Sequence, residues 1–364
     1  MQYVDPGYLV FARDGTLLSQ RFDLARGNVL GEPFSIADPV RYFLASAWAA
    51  FAVSRNGVLA YASTGDRSRI AWIDRSGQEL GSLGVPAEDN RLRISPDGHQ
   101  ALFDRARPGT GTLDLWTLDL GRGTESRLTS DPGTEIAGAW LPDQSAVIFS
   151  ASRGGPPHLF RKDLATGVEE ELLPVHALQF LPEVSPDGKT LVFEERTARG
   201  DFDVFKMPLS GERTPSPVLQ SPFDEGEARF SPSGHLLAFV SNESGRPEVY
   251  LTPFPGAGVR TRVSPGGLRA TPSRPGTMRS IAWNRDGREL FYVSADRELV
   301  AVPVRTTPAL EVGTPVTLFV LKGPAWSSFD VSADGKRFLA VVPEVVASEQ
   351  PLTVVLNWTA EIVR

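Results

Sequence analysis

Apolar residues along this chain come in short bursts, each closed by a turn-forming tetrapeptide and followed by a second burst on the far side. The turn reads Ser95-Pro96-Asp97-Gly98 in its fullest form and returns as Ser185-Pro186-Asp187-Gly188 and Ser231-Pro232-Ser233-Gly234. Variants are Leu141-Pro142-Asp143-Gln144, Asn284-Arg285-Asp286-Gly287 and Ser332-Ala333-Asp334-Gly335, with two looser copies at 4–7 and 54–57. Its fourth positions, 7, 57, 98, 144, 188, 234, 287 and 335, are 50, 41, 46, 44, 46, 53 and 48 residues apart. Proline presets φ, Asp or Asn bonds its own backbone, and glycine supplies a positive φ cheaply, so the tetrapeptide joins two antiparallel strands. Gln144 departs from the glycine this scheme expects.

The bursts that follow, such as Leu191-Val192-Phe193 and Leu237-Ala238-Phe239-Val240, are too short for helices and predict buried second strands. A third strand alternates apolar and polar, as in Asp114-Leu115-Trp116-Thr117-Leu118 and Asp203-Val204-Phe205-Lys206-Met207. A weaker, polar fourth closes each unit, as an outer edge strand should. Four antiparallel strands repeated radially make a β-propeller, so the expected fold is all-β, one propeller over residues 1–364 with about eight repeats. The expected blades are 1–50, 51–88, 89–134, 135–178, 179–222, 223–266, 267–322 and 323–364. The last shows no clear fourth strand, which leaves a second arrangement, a six-bladed ring formed after about residue 87 with the two N-terminal copies appended. Paired β-sandwiches would not need one turn at one phase throughout.

Composition narrows the partners. The 364 residues are 41% hydrophobic, enough for a large core, and 30 prolines and 34 glycines match the turn density. With 37 Lys and Arg against 44 Asp and Glu the net charge is −7, which argues against nucleic acid and anionic membranes. No cysteine is present, excluding disulfides, thiolate metal sites and cysteine nucleophiles. No apolar run approaches the roughly 20 residues of a membrane span, and no signal-peptide pattern opens the chain. A strand-like segment follows Met1 almost at once, so the reading frame is expected to be a fragment or a trimmed relative.

The repeat, Ser-Pro-Asp-Gly followed by an apolar strand and an aspartate-aromatic strand, is similar to the PD40 or TolB-like propeller repeat. Residues 7–23 (GYLVFARDGTLLSQRFD), 242–256 (NESGRPEVYLTPFPG), 285–304 (RDGRELFYVSADRELVAVPV) and 351–359 (PLTVVLNWT) resemble the extracytoplasmic C-terminal region of bacterial eukaryotic-type serine/threonine kinases. The resemblance implies a sensing or binding propeller outside the cytoplasm, in the periplasm. It carries no kinase activity over, because the Gly-rich loop, the His-Arg-Asp loop and the Asp-Phe-Gly motif are missing.

The residue types that could carry chemistry fall mostly in turns. Ser95, Ser185 and Ser231 precede proline in turns and are expected to bond local backbone, and no Gly-x-Ser-x-Gly elbow exists. The aspartates at one phase of the turn, including Asp97, Asp187, Asp286 and Asp334, are geometry rather than acid–base pairs. His99, His158, His176 and His235 show no metal-ligand spacing. Asp201 and Asp203, with Glu194 and Glu195 close in sequence, lack the twelve-residue calcium-loop pattern, and the expectation is no metal and no cofactor. Trp116, Trp140 and Trp283 are expected to fill space between sheets.

Binding residues are sought where the repeat is broken. The insertion 265–279 with Arg269, Arg274 and Arg279, the loop 196–202 with Arg199 and Asp201, and the Gly-Pro tip at Arg153 are the candidate loops. The expected function is non-catalytic sensing or protein or ligand binding, as the sensor part of a bacterial envelope or signalling protein. Its partner is a protein or small ligand, the chain a monomer. Two alternatives stand beside it: a propeller lyase or hydrolase using channel carboxylates, and an orphan fragment of a receptor kinase.

Overall fold

The computed structural model describes residues 1–13, 16–38, 40, 42–43, 48–54, 57–62, 67–107, 110, 112–173, 177–256, 258–268, 280–306, 309–321, 328–344 and 352–358. Among them no α-helix occurs, and none of their elements is long and apolar enough to cross a membrane as a helix. The chain divides into two compact units, 68–105 with 114–343, and 1–67 with 106–113 and 344–364.

The larger unit holds six antiparallel sheets among the described residues. The first blade runs Asp89–Ile94, Gln100–Ala106, Leu113–Asp119, Glu125–Arg127, and the second Glu135–Trp140, Ala146–Ala151, His158–Asp163, Glu169–Glu171. The third is Gln179–Val184, Thr190–Arg196, Phe202–Pro208, Ser216–Leu219, and the fourth Glu225–Phe230, Leu236–Ser241, Glu248–Pro253, Thr261–Arg262. In the fifth, Ile281–Trp283, Glu289–Val293 and Glu298–Arg305 are followed by two strands, Glu311–Val312 and Val316–Val320, that both pair with Glu298–Arg305. The sixth joins chain ends: Ser328–Val331 and Arg337–Pro343 pair onward to Ser68–Asp74 and Glu79–Ala87. Each blade's first strand lies against the first strand of the next, and Ser328–Val331 lies against both Ile281–Trp283 and Asp89–Ile94, so the ring closes.

The ring has six blades rather than eight, but it does not begin after residue 87, because Ser68–Asp74 and Glu79–Ala87 complete its sixth sheet, and the boundaries expected at 51–88 and 323–364 each cut across two sheets. Phe51–Val53 and Val58–Ala62 belong to the smaller unit, in one sheet with Leu352–Leu356. That unit also holds the four-stranded sheet Gln2–Val4, Tyr8–Arg13, Thr16–Asp23, Asn28–Ala37, with Val10, Leu17, Leu59 and Trp358 in its core. Its turn copy works like the others, Val58 N–H donating to Ser54 Oγ at 3.0 Å. The tetrapeptide thus reports a hairpin, and membership of the ring depends on which sheet the hairpin joins.

Packing follows the turn phase. Phe103, Phe149, Phe193 and Phe239 each stand five residues past the fourth turn position and are wholly buried. Burial of one such ring contributes about 2–3 kcal/mol. Within the turn, Ser95 Oγ accepts from Gln100 N–H at 2.9 Å and donates to Asp97, while Asp97 accepts from His99 N–H. Ser185 with Asp187, and Ser332 with Asp334, repeat this set. Asn284 Oδ1 takes the hydroxyl's place by accepting from Glu289 N–H, and Ser231 bonds Leu236 N–H. Gly98, Gly188, Gly234, Gly287 and Gly335 all sit at φ between 68° and 80°, and Gln144 adopts 58°.

Candidate functional site

The first strands of successive blades lie against one another around the ring's hub, and the charged residues two places before each turn's opening position meet across it. Around the ring this position reads Arg93, Ala139, Glu183, Arg229, Ala282, Asp330. Arg93 of the first blade pairs with Glu183 of the third, and Arg229 of the fourth lies 3.6 Å from Asp330 of the sixth and 4.0 Å from Glu183. Both closer pairs skip a blade, the one carrying alanine. Asp330 also accepts from Ile94 N–H at 2.9 Å, and Trp140 Nε1 donates to the Arg93 carbonyl. These side chains are almost wholly withdrawn from solvent, where an ion pair is strong only if both partners are held in place.

One layer away, each of the first four blades bulges. Arg91, Ala137, Leu181 and Glu227 adopt positive φ, two residues into their strands, beside shifts in strand register. Non-glycine residues hold that conformation at a cost, so something must fix them. For two of them the preceding blade does: Ala137 N–H donates to Asp104 Oδ1 at 2.9 Å and Glu227 N–H to Glu194. Glu227 in turn accepts from Ser280 N–H and Oγ, and Asp104 also pairs with Arg91 at 2.9 Å. Carboxylates near the hub thus join one blade to the next.

At the blade ends opposite the turns a third pattern recurs, an acid buried on the first strand, a guanidinium on the acid, and aromatic rings beneath it. Arg105 bonds Asp89 and Glu125 at 2.6 and 2.7 Å and lies 5.0 and 5.1 Å from the rings of Phe103 and Trp116. Arg153 pairs with Glu169, stands 3.5 Å from Glu135 and lies 4.3 Å from the Phe160 ring. Arg260 bonds Glu225 and Glu243 at 2.7 Å and lies 5.5 Å from the Phe239 ring. Burial pushes Asp89 up to about 6 and Glu135 up to about 7, and raises Glu225, against the pull of these arginines.

Arg153, expected in a binding loop, is therefore a member of this packing, and its guanidinium lies over the second blade. Arg199 bonds Asp201 at 3.0 Å and the Ser221 carbonyl at 2.6 Å, and Asp201 accepts from Thr197, so that loop is tied to itself and to the next connection. Arg269, Arg274, Arg279 and His176 lie outside the described residues. Asp114 bonds Arg127 at 2.8 Å. His158 Nδ1 lies 3.0 Å from the Pro156 carbonyl, and its ring packs 4.6 Å from that of Phe160. His99 and His235 stay exposed beside their turns. Arg93, Glu183, Arg229 and Asp330 escaped a reading that searched between repeats. Their signal is a charged residue two places before the turn, repeated in four of the six first strands.

A family model described as the TolB β-propeller domain matches residues 88–215. Over 214 residues the chain is 27% identical to an uncharacterized protein of Agrobacterium fabrum, covering 56% of this chain and 69% of that one. Over 181 residues it is 23% identical to the Tol-Pal system protein TolB of Wolinella succinogenes, covering 46% of this chain and 42% of that protein, so it spans less than half of that relative's length. The solved structure of a TolB from Agrobacterium tumefaciens superposes with a TM-score of 0.58 at 17% identity, over 78% of this chain and all of that one. The fold these share is the TolB-type propeller, and the ring of six sheets is of that type.

Proposed function

We propose that this TolB-type β-propeller is a non-catalytic recognition module, the extracytoplasmic sensing part of a bacterial envelope or signalling protein, and that its partner is another protein. One observation carries the reading: the carboxylates that gather around the hub are committed to holding the ring. Glu183 and Asp330 are paired with arginines, and Glu194, Glu227 and Asp104 accept backbone N–H groups from neighbouring blades. General acid–base work requires a carboxyl free to exchange its proton with a substrate, whereas here loss of either partner would loosen the blade contacts. A rigid ring with self-satisfied walls is suited to presenting the connections at the blade ends. The resemblance of residues 7–23, 242–256, 285–304 and 351–359 to kinase sensor regions favours an envelope setting.

The test is capture of envelope proteins by the immobilised chain, competed by the same chain in solution. Saturable, competable capture with no turnover of polyuronide, lactone or peptide substrates is the expected result. Turnover that disappears in Glu183→Gln while folding is retained would replace this reading with an enzymatic one.

A further inference from the structure

In the third blade the row at the end opposite the turns departs from its sisters. Gln179, Glu195 and Asp203 are direct partners in register across three adjacent strands, so their side chains share one face. Two residues further in on that face, Phe193 and Phe205 are partners as well, with rings 6.2 Å apart and stacked, as Phe149 and Phe160 are in the second blade and Phe239 and Tyr250 in the fourth. The stacked rings of the sister blades are here, but Gln179 stands where they carry the first-strand acid, and the carboxylates, Glu195 and Asp203, lie on the second and third strands. Gln179 Nε2 donates to Glu195 at 2.9 Å, but Gln179 Oε1 and both oxygens of Asp203 have no hydrogen-bond donor among the described residues. Asp203 is 1% and Gln179 2% exposed. Burial raises the Asp203 pKa and Asp201 adds to the rise, while Gln220, Arg199 and the Ser221 amide pull it back.

The first, second and fourth blades each place an arginine in this position, and they take it from three different strands or loops. Arg105 lies on a second strand, Arg153 follows one, and Arg260 precedes a fourth. What is common is the chemistry of the place, buried acceptors beside aromatic faces, and not the route by which the cation reaches it. By register Thr197 stands in the third blade where Arg153 stands in the second, since Glu195 and Ala151 each pair with the first residue of their first strands, Gln179 and Glu135. Its hydroxyl is turned to Asp201. The sister guanidinium groups are between 11% and 27% exposed, so the place is reached from the surface.

We propose that the third blade takes its guanidinium from outside, binding an arginine side chain of a protein partner on Glu195, Asp203 and the Gln179 carbonyl over Phe193. The proposal rests on the protein-binding reading above and names the group recognised. Guanidinium matches the site better than ammonium because its planar fork meets two acceptors at once and stacks on a ring.

The intact chain is titrated with Nα-acetyl-arginine amide, Nα-acetyl-lysine amide and calcium chloride, followed by calorimetry and thermal unfolding. The arginine probe is expected to bind saturably, about tenfold tighter than the lysine probe, and to raise Tm. Asp203→Asn should weaken it by about tenfold. Thr197→Arg, which supplies the cation internally, should raise Tm and abolish probe binding, and it stays readable where Asp203→Asn fails to fold. Equal response to both amides, stabilisation by calcium without arginine binding, or undiminished probe binding in Thr197→Arg would each overturn the proposal. Arginine binding without envelope capture would leave this site standing and remove the envelope partner; capture with no arginine response would do the reverse.

Discussion

Gln144, with its amide nitrogen turned toward the preceding blade, donates to both carboxylate oxygens of Asp97 at 3.2 Å. The residue that breaks the glycine rule thus links two successive turns, and the bond offsets the cost of its φ of 58°. Gln144→Gly relieves the backbone and loses the link, so its stability should stay within about 1 kcal/mol of the parent in urea titrations. Gln144→Ala keeps the strain and loses the bond, and should cost about 1 kcal/mol.

At the hub, Arg93→Ala leaves Glu183 with Arg229, 4.0 Å away, as its cation among the described residues, and should destabilise by about 3 kcal/mol. The exchange Arg93→Glu with Glu183→Arg restores the pair but sets a new cation against Arg229. Denaturant titration should therefore show partial recovery. Full recovery would mean that Arg229 and Glu183 are not coupled.

A pH dependence follows from Glu135. Its folded pKa, about 7, lies above the ordinary 4.5 because of burial. The folded state holds the proton more tightly, so this group's contribution is complete below about 4.5 and is lost as pH rises through 7. Glu135→Gln should be more stable than the parent at pH 8, and the difference should close by pH 4. Asp89 acts in the same sense through about 6. The turn carboxylates Asp97, Asp187 and Asp334, held low first by their serine hydroxyls, act oppositely, and their stabilisation is lost as pH falls through their folded values. Melting temperatures measured from pH 3 to 9 separate the two.

Ser185→Ala removes an acceptor from Thr190 N–H and a donor to Asp187, and should cost about 1 kcal/mol. Ser185→Asn should cost less, because Asn284 already performs the same bond in the fifth blade. Chemical denaturation of both variants checks the ranking.

Strands and turns were legible because each is encoded within a few residues: proline, aspartate and glycine fix the hairpin, and apolar bursts fix the second strand. Ring closure was not, since the pairing of Ser68–Asp74 with Arg337–Pro343 joins segments with little local likeness, and copies of one turn serve both units. The packing partners of Arg153 were hidden for a related reason. Its partners Glu135 and Glu169 come from the first and fourth strands of its blade, and only the assembled sheet makes a Gly-Pro tip residue part of the packing. The hub arginines and acids were visible all along, but their meaning lies in which blades they bridge.

The sixth blade also determines how the ring answers to force. Ser68 is the partner of Pro343, and their strands run antiparallel to Asp74 and Arg337. The chain enters and leaves the ring at this same end, so tension between those two points is applied crosswise to the first rungs of the ladder. It loads the hydrogen bonds one after another, as in opening a zipper, and the ring yields at its seam while the other five sheets remain unstressed.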